Sequence, residues 1–178
     1  MRRAVKRLRV HVAFAALMLL CTAPAPGQAQ ERPSTMSDII RNAVYDPATY
    51  APAFVMYGAT HLDWESSQIF FQHGSVEHNA RYTVSGRSDD VAISRQAGNQ
   101  KVVMDSAAIL LRSLPQNLGE RVLEHLLVRR YPNHRKFFLV AGRVGRIAGL
   151  SYLTVSASAG HFRQWRENER RARQLGYK

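Results

Sequence analysis

The apolar positions of the chain recur mostly at helical spacing, with polar or proline-containing breaks between the apolar segments. The leucine and valine positions within 122–127, for example, are spaced for one buried helix face. Gly74 and the Tyr131-Pro132 pair suit helix ends. The pattern therefore predicts helices over residues 37–44, 52–74, 100–113, 117–130 and 137–175, with breaks at Asp46-Pro47 and Leu114-Pro115 and a weak point at Gly160.

One segment departs from helical spacing. Tyr82 and Val84 alternate with polar residues, and so do Val91 and Ile93 beyond the polar run 86–90. Such alternation around a glycine-containing turn predicts a small β-hairpin. The predicted fold is all-α, an antiparallel helical bundle with a small inserted β-hairpin. The predicted parts are a signal peptide (1–29), a flexible leader with a short helix (30–46) and a helical domain with a basic C-terminal helix (47–178).

The first 29 residues have the composition of a secretory signal peptide. Five basic residues and no acidic residue precede the apolar run 10–20, which is shorter than the roughly 20 residues that a bilayer requires. Gly27 and Ala29 place small residues at positions −3 and −1 of a cleavage site. We therefore expect export to the periplasm or cell envelope and a mature chain from Gln30. An uncleaved anchor, the twin-arginine route and lipidation of Cys21 are the alternatives.

Charge is unevenly distributed along the mature chain. Residues 30–128 carry 8 basic and 11 acidic side chains, a net −3, whereas residues 129–178 carry 12 basic and 2 acidic ones, a net +10. In an exported protein this favours an anionic membrane surface or an acidic envelope partner over nucleic acid. A solvated basic face without a dedicated ligand is the alternative. The predicted surface-binding residues are Arg163, Arg166, Arg170, Arg171 and Arg173.

Residues 61–79 hold the densest candidate chemistry, and three of the six mature histidines lie there. Two or more imidazoles with a carboxylate suit zinc or another divalent metal, and the same groups could act as general acid and base. No His-Glu-x-x-His motif is present. The candidate metal ligands are His61, Glu65, His73 and His78. The simpler interpretation is a structural cluster of hydrogen-bonded polar residues, Asp63, Ser67, Glu77 and Asn79.

The same region carries a resemblance. Asp63-x-x-Ser66-Ser67, followed by Gly74-x-x-Glu77-x-Asn79, resembles the D-x-x-S…G-x-x-E-x-N pattern of small bacterial membrane proteins to which no activity is assigned. The segment HFRQWRENER, residues 161–170, is similar to the ending of bacterial exported proteins that also lack an assigned activity. The resemblance implies a helical exported or membrane-associated protein and no particular reaction.

Residues 137–159 are long enough to cross a membrane. Gly145 and Gly149 form a G-x-x-x-G face on which another helix could pack. Arg143 and Arg146 oppose insertion, since each costs about 2.5–3.5 kcal/mol at a bilayer centre. Basic residues on both sides of the segment remove the orientation bias. Crossing, surface association and a soluble bundle all remain open.

The preferred interpretation is an exported, non-enzymatic envelope protein whose basic C-terminal helix contacts an acidic surface or partner, without a cofactor. One alternative is a metal-dependent envelope enzyme or metal-binding protein that uses the His61–His78 cluster and a divalent metal. Another is a small integral membrane protein that crosses the bilayer at about 137–159. His161, beside Phe162 and Trp165, is predicted to lie at the edge of the core.

Overall fold

The computed structural model describes residues 35–177, which form four α-helices connected by two short turns and one longer loop. The predicted all-α class is confirmed. The predicted signal peptide lies outside the described residues, so export stays a prediction. The helices are α1 (Met36–Val44), α2 (Pro47–Gln72), α3 (Arg95–Arg130) and α4 (Arg135–Gln174), with 3-10 turns at Ala80–Tyr82 and Pro132–His134.

The three long helices pack against one another as an up-down-up bundle. Helix α3 runs antiparallel to α2, because its middle contacts the start of α2 at Thr49 and its first residue contacts Glu65. Helix α4 then follows the direction of α2, and its second half contacts the second half of α2. The short helix α1 packs on α3 and buries Ile39 and Ala43, so it belongs to the same packed unit.

Helix α2 begins five residues before the predicted start at Pro52. The Asp46 side chain accepts a hydrogen bond from the Ala48 N–H at 2.9 Å, and Pro47 occupies the first helical position. Proline suits that position because the first N–H groups of a helix have no partner within it. The Asp46-Pro47 pair, interpreted from sequence as a break, is therefore the start signal of α2.

Helix α3 continues through Pro115, where the sequence predicted an interruption. An interior proline removes one helix hydrogen bond and costs about 3 kcal/mol. Packing on α2 offsets this cost on both sides of the proline, because Ser113 and Asn117 are fully buried and both contact Thr49. Contacts that are distant in sequence therefore override the local signal.

The predicted β-hairpin does not form as strands. Within residues 35–177 the loop between α2 and α3 shows two isolated antiparallel bridges, Glu77 with Asp90 and Thr83 with Ala92. The Thr83 hydroxyl donates to the backbone carbonyls of Ala80 and Arg87 at 3.0 and 2.8 Å. The Val84 N–H donates to the Val91 carbonyl at 2.9 Å and the Ile93 N–H donates to the Tyr82 carbonyl at 2.8 Å, so the predicted segments meet through isolated backbone bonds and not through a strand ladder.

The loop is held by a small aromatic core. Tyr82 packs against Trp64 with ring centroids 5.2 Å apart, and both side chains are buried with Val102 of α3. Phe71 and Ile93 pack at the edge of this cluster. Burial and the neighbouring Asp105 carboxylate raise the pKa of Tyr82 well above its ordinary value, so the phenol stays protonated and donates to Asp105.

A polar layer lies at the opposite end of the bundle. The Asn117 amide donates to Thr49 Oγ1 at 2.6 Å and to Asp46 Oδ2 at 3.2 Å. The Arg121 guanidinium donates to Asp46 Oδ2 at 2.6 Å and to the Asn117 carbonyl oxygen at 3.0 Å. The Ser113 hydroxyl donates to the Thr49 carbonyl at 2.6 Å. This network joins the start of α2 to the middle of α3.

The network should make the stability of the protein depend on pH in the acid range. Burial would raise the pKa of Asp46, but hydrogen bonds from Ala48, Arg121 and Asn117 outweigh it and hold the pKa below its ordinary value. A carboxyl group with a lowered folded-state pKa stabilises the fold above its unfolded pKa of about 3.9 and loses that contribution as the pH falls further. We expect the free energy of unfolding to fall less between pH 6 and pH 3 for Asp46→Asn than for the unchanged protein. Chemical denaturation of both proteins at the two pH values measures this fall. An equal fall in the two proteins would contradict this.

Candidate functional site

A cavity of about 300 Å³ lies where the second halves of α2 and α4 meet the loop after α2. The loop contributes Ser75, Val76 and Tyr82, while Trp64, Phe70 and Phe71 supply an aromatic wall. We call this the helix-end cavity. Its polar lining residues are Thr60, Asp63, Ser67, Glu77, His78, Asn79, His161, Gln164, Asn168 and Arg171.

The chemical centre of the helix-end cavity is a carboxylate–imidazole pair. Asp63 Oδ2 lies 2.8 Å from His161 Nδ1, although the two residues are 98 positions apart in the chain. Their side chains are half-buried, with 17% of Asp63 and 27% of His161 exposed. A carboxylate at one ring nitrogen fixes the orientation of an imidazole, whose other nitrogen can then exchange a proton or bind a ligand.

Next to this pair, a buried amide joins the two helices. Asn168, 7% exposed, donates to the hydroxyl oxygens of Ser66 and Ser67 at 3.1 and 2.9 Å. Each of these hydroxyls donates in turn to the Asp63 carbonyl at 2.9 Å. The Ser67 hydroxyl is thus held by backbone and amide groups as a structural group, which does not favour a role as nucleophile.

The loop residues at the mouth of the cavity bond mainly to their own backbone. Glu77 accepts from the Asn79 N–H at 2.7 Å, and the Asn79 side chain accepts from the Arg81 N–H at 3.1 Å. His78 Nδ1 pairs with Asp89 across the loop. The predicted structural cluster consists of Asp63, Ser67, Glu77 and Asn79, and all four residues line the helix-end cavity. Ser67, Glu77 and Asn79 also make hydrogen bonds within their own helix or loop.

The candidate metal ligands each have a different partner. The His61 ring stacks on Tyr57, and Arg95 pairs with Glu65. His73 Nδ1 lies 2.7 Å from the Ile69 carbonyl oxygen. Within residues 35–177 the structure places no three His, Cys, Asp or Glu side chains together in a group that could hold a metal ion. The four predicted ligands are His61, Glu65, His73 and His78, and only His78 lines the helix-end cavity.

His161 is the functional candidate that the sequence argument missed. Its partner, Asp63, lies in the segment 61–79, which the sequence indicated as the densest candidate chemistry. The pairing of the two residues depends on how α2 and α4 pack. A signal does exist: His161, Gln164 and Asn168 recur at helical spacing, and they match the polar face of Asp63 and Ser67 on α2. The spacing places these side chains on one face of each helix, and the packing of α2 against α4 brings the two faces together.

A second candidate surface lies on the outer face of α4. Among residues 35–177, the helical stretch Pro132–Gln174 is the one that is long and apolar enough to cross a membrane. Its most apolar 18 residues have a mean hydropathy of 1.2, and only 6% of this window is buried. Five of its exposed large apolar side chains lie at helical spacing along one face, and we call them the apolar stripe: Phe137, Val140, Val144, Ile147 and Val155.

Basic side chains flank the apolar stripe at both ends. Before it, at the turn between α3 and α4, are Arg129, Arg130, Arg135 and Lys136, all exposed. After it come the five predicted surface-binding arginines, which are also exposed. Arg170 is paired with Glu167, and the Arg171 guanidinium lies 5.9 Å from the Phe70 ring centre. The exposed apolar stripe therefore lies between two basic patches.

The comparisons with known proteins do not identify a family for this chain. No protein-family model matches this chain, and neither the curated proteins nor the solved structures contain a significant match.

Proposed function

We propose that this is an exported, non-enzymatic envelope protein that attaches to the acidic surface of a membrane through α4. The observation that carries this proposal is the 6% burial of the most apolar window of α4. A soluble bundle would bury such a window against its neighbours, and large exposed apolar patches mark interaction sites. The arginines at both ends fit anionic headgroups, which attract each nearby basic residue by about 1 kcal/mol.

The packing of α4 favours attachment along the surface over crossing. The neighbouring helix α3 carries charged residues along the same length, and its Glu124 pairs with Arg146 of α4. A bilayer around α4 would therefore surround α3 as well, including Arg112 and Glu120. An amphipathic helix that lies in the interface requires only one apolar face, and α4 has one in its apolar stripe.

A single charge in the apolar stripe tests the proposal. Val144 is 59% exposed on α4, and we expect Val144→Asp to weaken binding to vesicles of anionic lipid by at least about tenfold. The loss corresponds to about 1.5–3 kcal/mol for one apolar side chain that no longer enters the membrane. The measurement is co-sedimentation of the purified protein with anionic and with neutral vesicles at low salt.

The matched control is Val84→Asp in the loop, because Val84 is 70% exposed and belongs to neither the apolar stripe nor the basic patches of α4. This variant should bind as the unchanged protein does. If the unchanged protein ignored anionic vesicles at low salt, or if both variants lost binding equally, the proposal would fail. Extraction with alkaline carbonate then separates surface attachment, which is reversed, from crossing, which is not.

The second candidate function is an acid–base site in the helix-end cavity, which the Asp63–His161 pair favours. It predicts turnover of a small substrate that His161→Gln lowers and His134→Gln does not. His134 is a fair control because it lies in the turn before α4, at the other end of that helix. Equal turnover in the two variants would eliminate this candidate function.

A further inference from the structure

The helix-end cavity has two chemically different ends. At one end, His161 Nδ1 lies 2.8 Å from the Asp63 carboxylate, and at the other end, the Arg171 guanidinium lies 5.9 Å from the centre of the Phe70 ring. Asp63 and Phe70 are seven residues apart on α2, so the two ends lie roughly 10 Å apart along the helix. Trp64 lines the same cavity and adds apolar surface to its wall.

The imidazole end offers a hydrogen-bond acceptor. An ionised carboxylate can only accept, so the proton of a neutral His161 ring lies on Nδ1, between the ring and Asp63. The other ring nitrogen, Nε2, then carries a lone pair. Because 27% of the His161 side chain is exposed and the residue lines the cavity, a ligand can reach it. This end therefore suits a hydroxyl group that donates to Nε2.

The other end offers a guanidinium that can receive an anion. Arg170 and Arg173 pair with glutamates of their own helix, whereas within residues 35–177 no carboxylate pairs with Arg171. A guanidinium binds a carboxylate through two parallel hydrogen bonds. Glu77 also lines the cavity, but it lies on the loop and accepts from the Asn79 N–H. An anionic group is therefore best placed on the α4 side, at Arg171.

Arg171 lies on the opposite face of α4 from the apolar stripe. It follows Val144 by 27 residues, about seven and a half turns of helix, so it lies half a turn away from Val144 around the axis. Arg173 follows Val144 by 29 residues, about eight turns, and lies on the same side as the stripe. Arg171 is therefore available to the cavity when the apolar stripe contacts a membrane.

We propose that the helix-end cavity binds a hydroxylated aromatic carboxylate. The phenolic hydroxyl donates to His161 Nε2, the ring packs on the aromatic wall at Trp64, and the carboxylate accepts from Arg171. The volume of about 300 Å³ lies at the lower limit of small-molecule sites, so one ring with a short chain fits. The two polar ends of para-hydroxyphenylpropionate lie roughly 8 Å apart by ordinary bond lengths, which suits the spacing of the two ends of the cavity. This binding depends on neither membrane attachment nor turnover.

Four probes that share one ring test the two ends: para-hydroxyphenylpropionate, phenylpropionate, para-ethylphenol and tyramine, each titrated against the purified protein by calorimetry. Because hydrogen bonds to a charged group are the stronger ones, para-hydroxyphenylpropionate should bind at least about tenfold more tightly than tyramine, which has an ammonium in place of the carboxylate. It should also bind several-fold more tightly than phenylpropionate, which lacks the hydroxyl. No binding of para-hydroxyphenylpropionate, or equal binding of tyramine, would overturn the proposal.

Variants then locate the site. Arg171→Gln should weaken para-hydroxyphenylpropionate at least about tenfold and change para-ethylphenol little. Arg170→Gln is the matched control, because Arg170 is the exposed neighbour that pairs with Glu167 and does not line the cavity. Equal losses in these two variants would show attraction by the basic helix in general and would contradict the site. His161→Leu should remove the preference for para-hydroxyphenylpropionate over phenylpropionate. Val144→Asp, the membrane test, should leave probe binding intact because Val144 does not line the cavity, so the two proposals can fail separately.

Discussion

Replacing Gly98 by alanine is expected to lower the free energy of unfolding by about 3 kcal/mol, the upper end of the 1–3 kcal/mol that an overpacked core costs. Gly98 lies in the first turns of α3, directly against the buried indole of Trp64. A Cβ at this position would lie 2.1 Å from two ring carbons of Trp64 and 2.5 Å from its nitrogen. The indole is rigid and 4% exposed, so it cannot move aside without disturbing Tyr82 and Val102.

Gly119→Ala on the same helix is the matched control for this prediction. Gly119 has no atom within 4 Å of its Cβ position, so alanine meets no clash. Because alanine favours a helix interior over glycine by about 1 kcal/mol, this variant should be slightly stabilised. Urea denaturation followed by circular dichroism measures both variants. The close packing of α3 on Trp64 would be contradicted if Gly98→Ala gained stability as Gly119→Ala does.

The helices could be predicted from the sequence because their signals are local. The apolar spacing within 122–127 and the end signals around Tyr131-Pro132 depend on residues a few positions apart. They gave the helical class and the end of α3 at Arg130. The same local reasoning failed at Pro115, where buried Ser113 and Asn117 keep the helix continuous through contacts with α2.

The candidate sites could be predicted less well than the helices, because they depend on how the helices pack. Asp63 was predicted as part of a polar cluster from the residues around it. Its pairing with His161 arises from the parallel packing of α2 and α4, which cannot be predicted from a local pattern. Only one of the two glycines of the predicted G-x-x-x-G face, Gly145 and Gly149, lies close to a neighbouring helix. Gly149 does lie close to the Gln116 side chain of α3, whereas Gly145 has open space. Helix spacing thus identifies a face, and the neighbouring helix decides which of its residues are in contact.

The exposure of α4 links the fold to the proposed function. The aromatic core around Trp64 and the polar layer around Asn117 hold the ends of the bundle together. The bundle therefore does not depend on the apolar stripe of α4 for its packing. A surface that is apolar, exposed and not required by the core is free to contact a membrane.

Replacing Asn117 by leucine should have the largest effect on stability, a loss of about 3–5 kcal/mol. Asn117 is fully buried, and its amide serves Thr49, Asp46 and Arg121 at once. Leucine has the same branched shape but supplies neither donor nor acceptor, so two or three buried groups each lose a partner at about 1–3 kcal/mol apiece. Asn133→Leu, at an exposed position in the turn before α4, should change stability by less than about 0.5 kcal/mol. Chemical denaturation of both variants measures the difference, and similar small effects in the two would show that the buried network contributes little to joining α2 and α3.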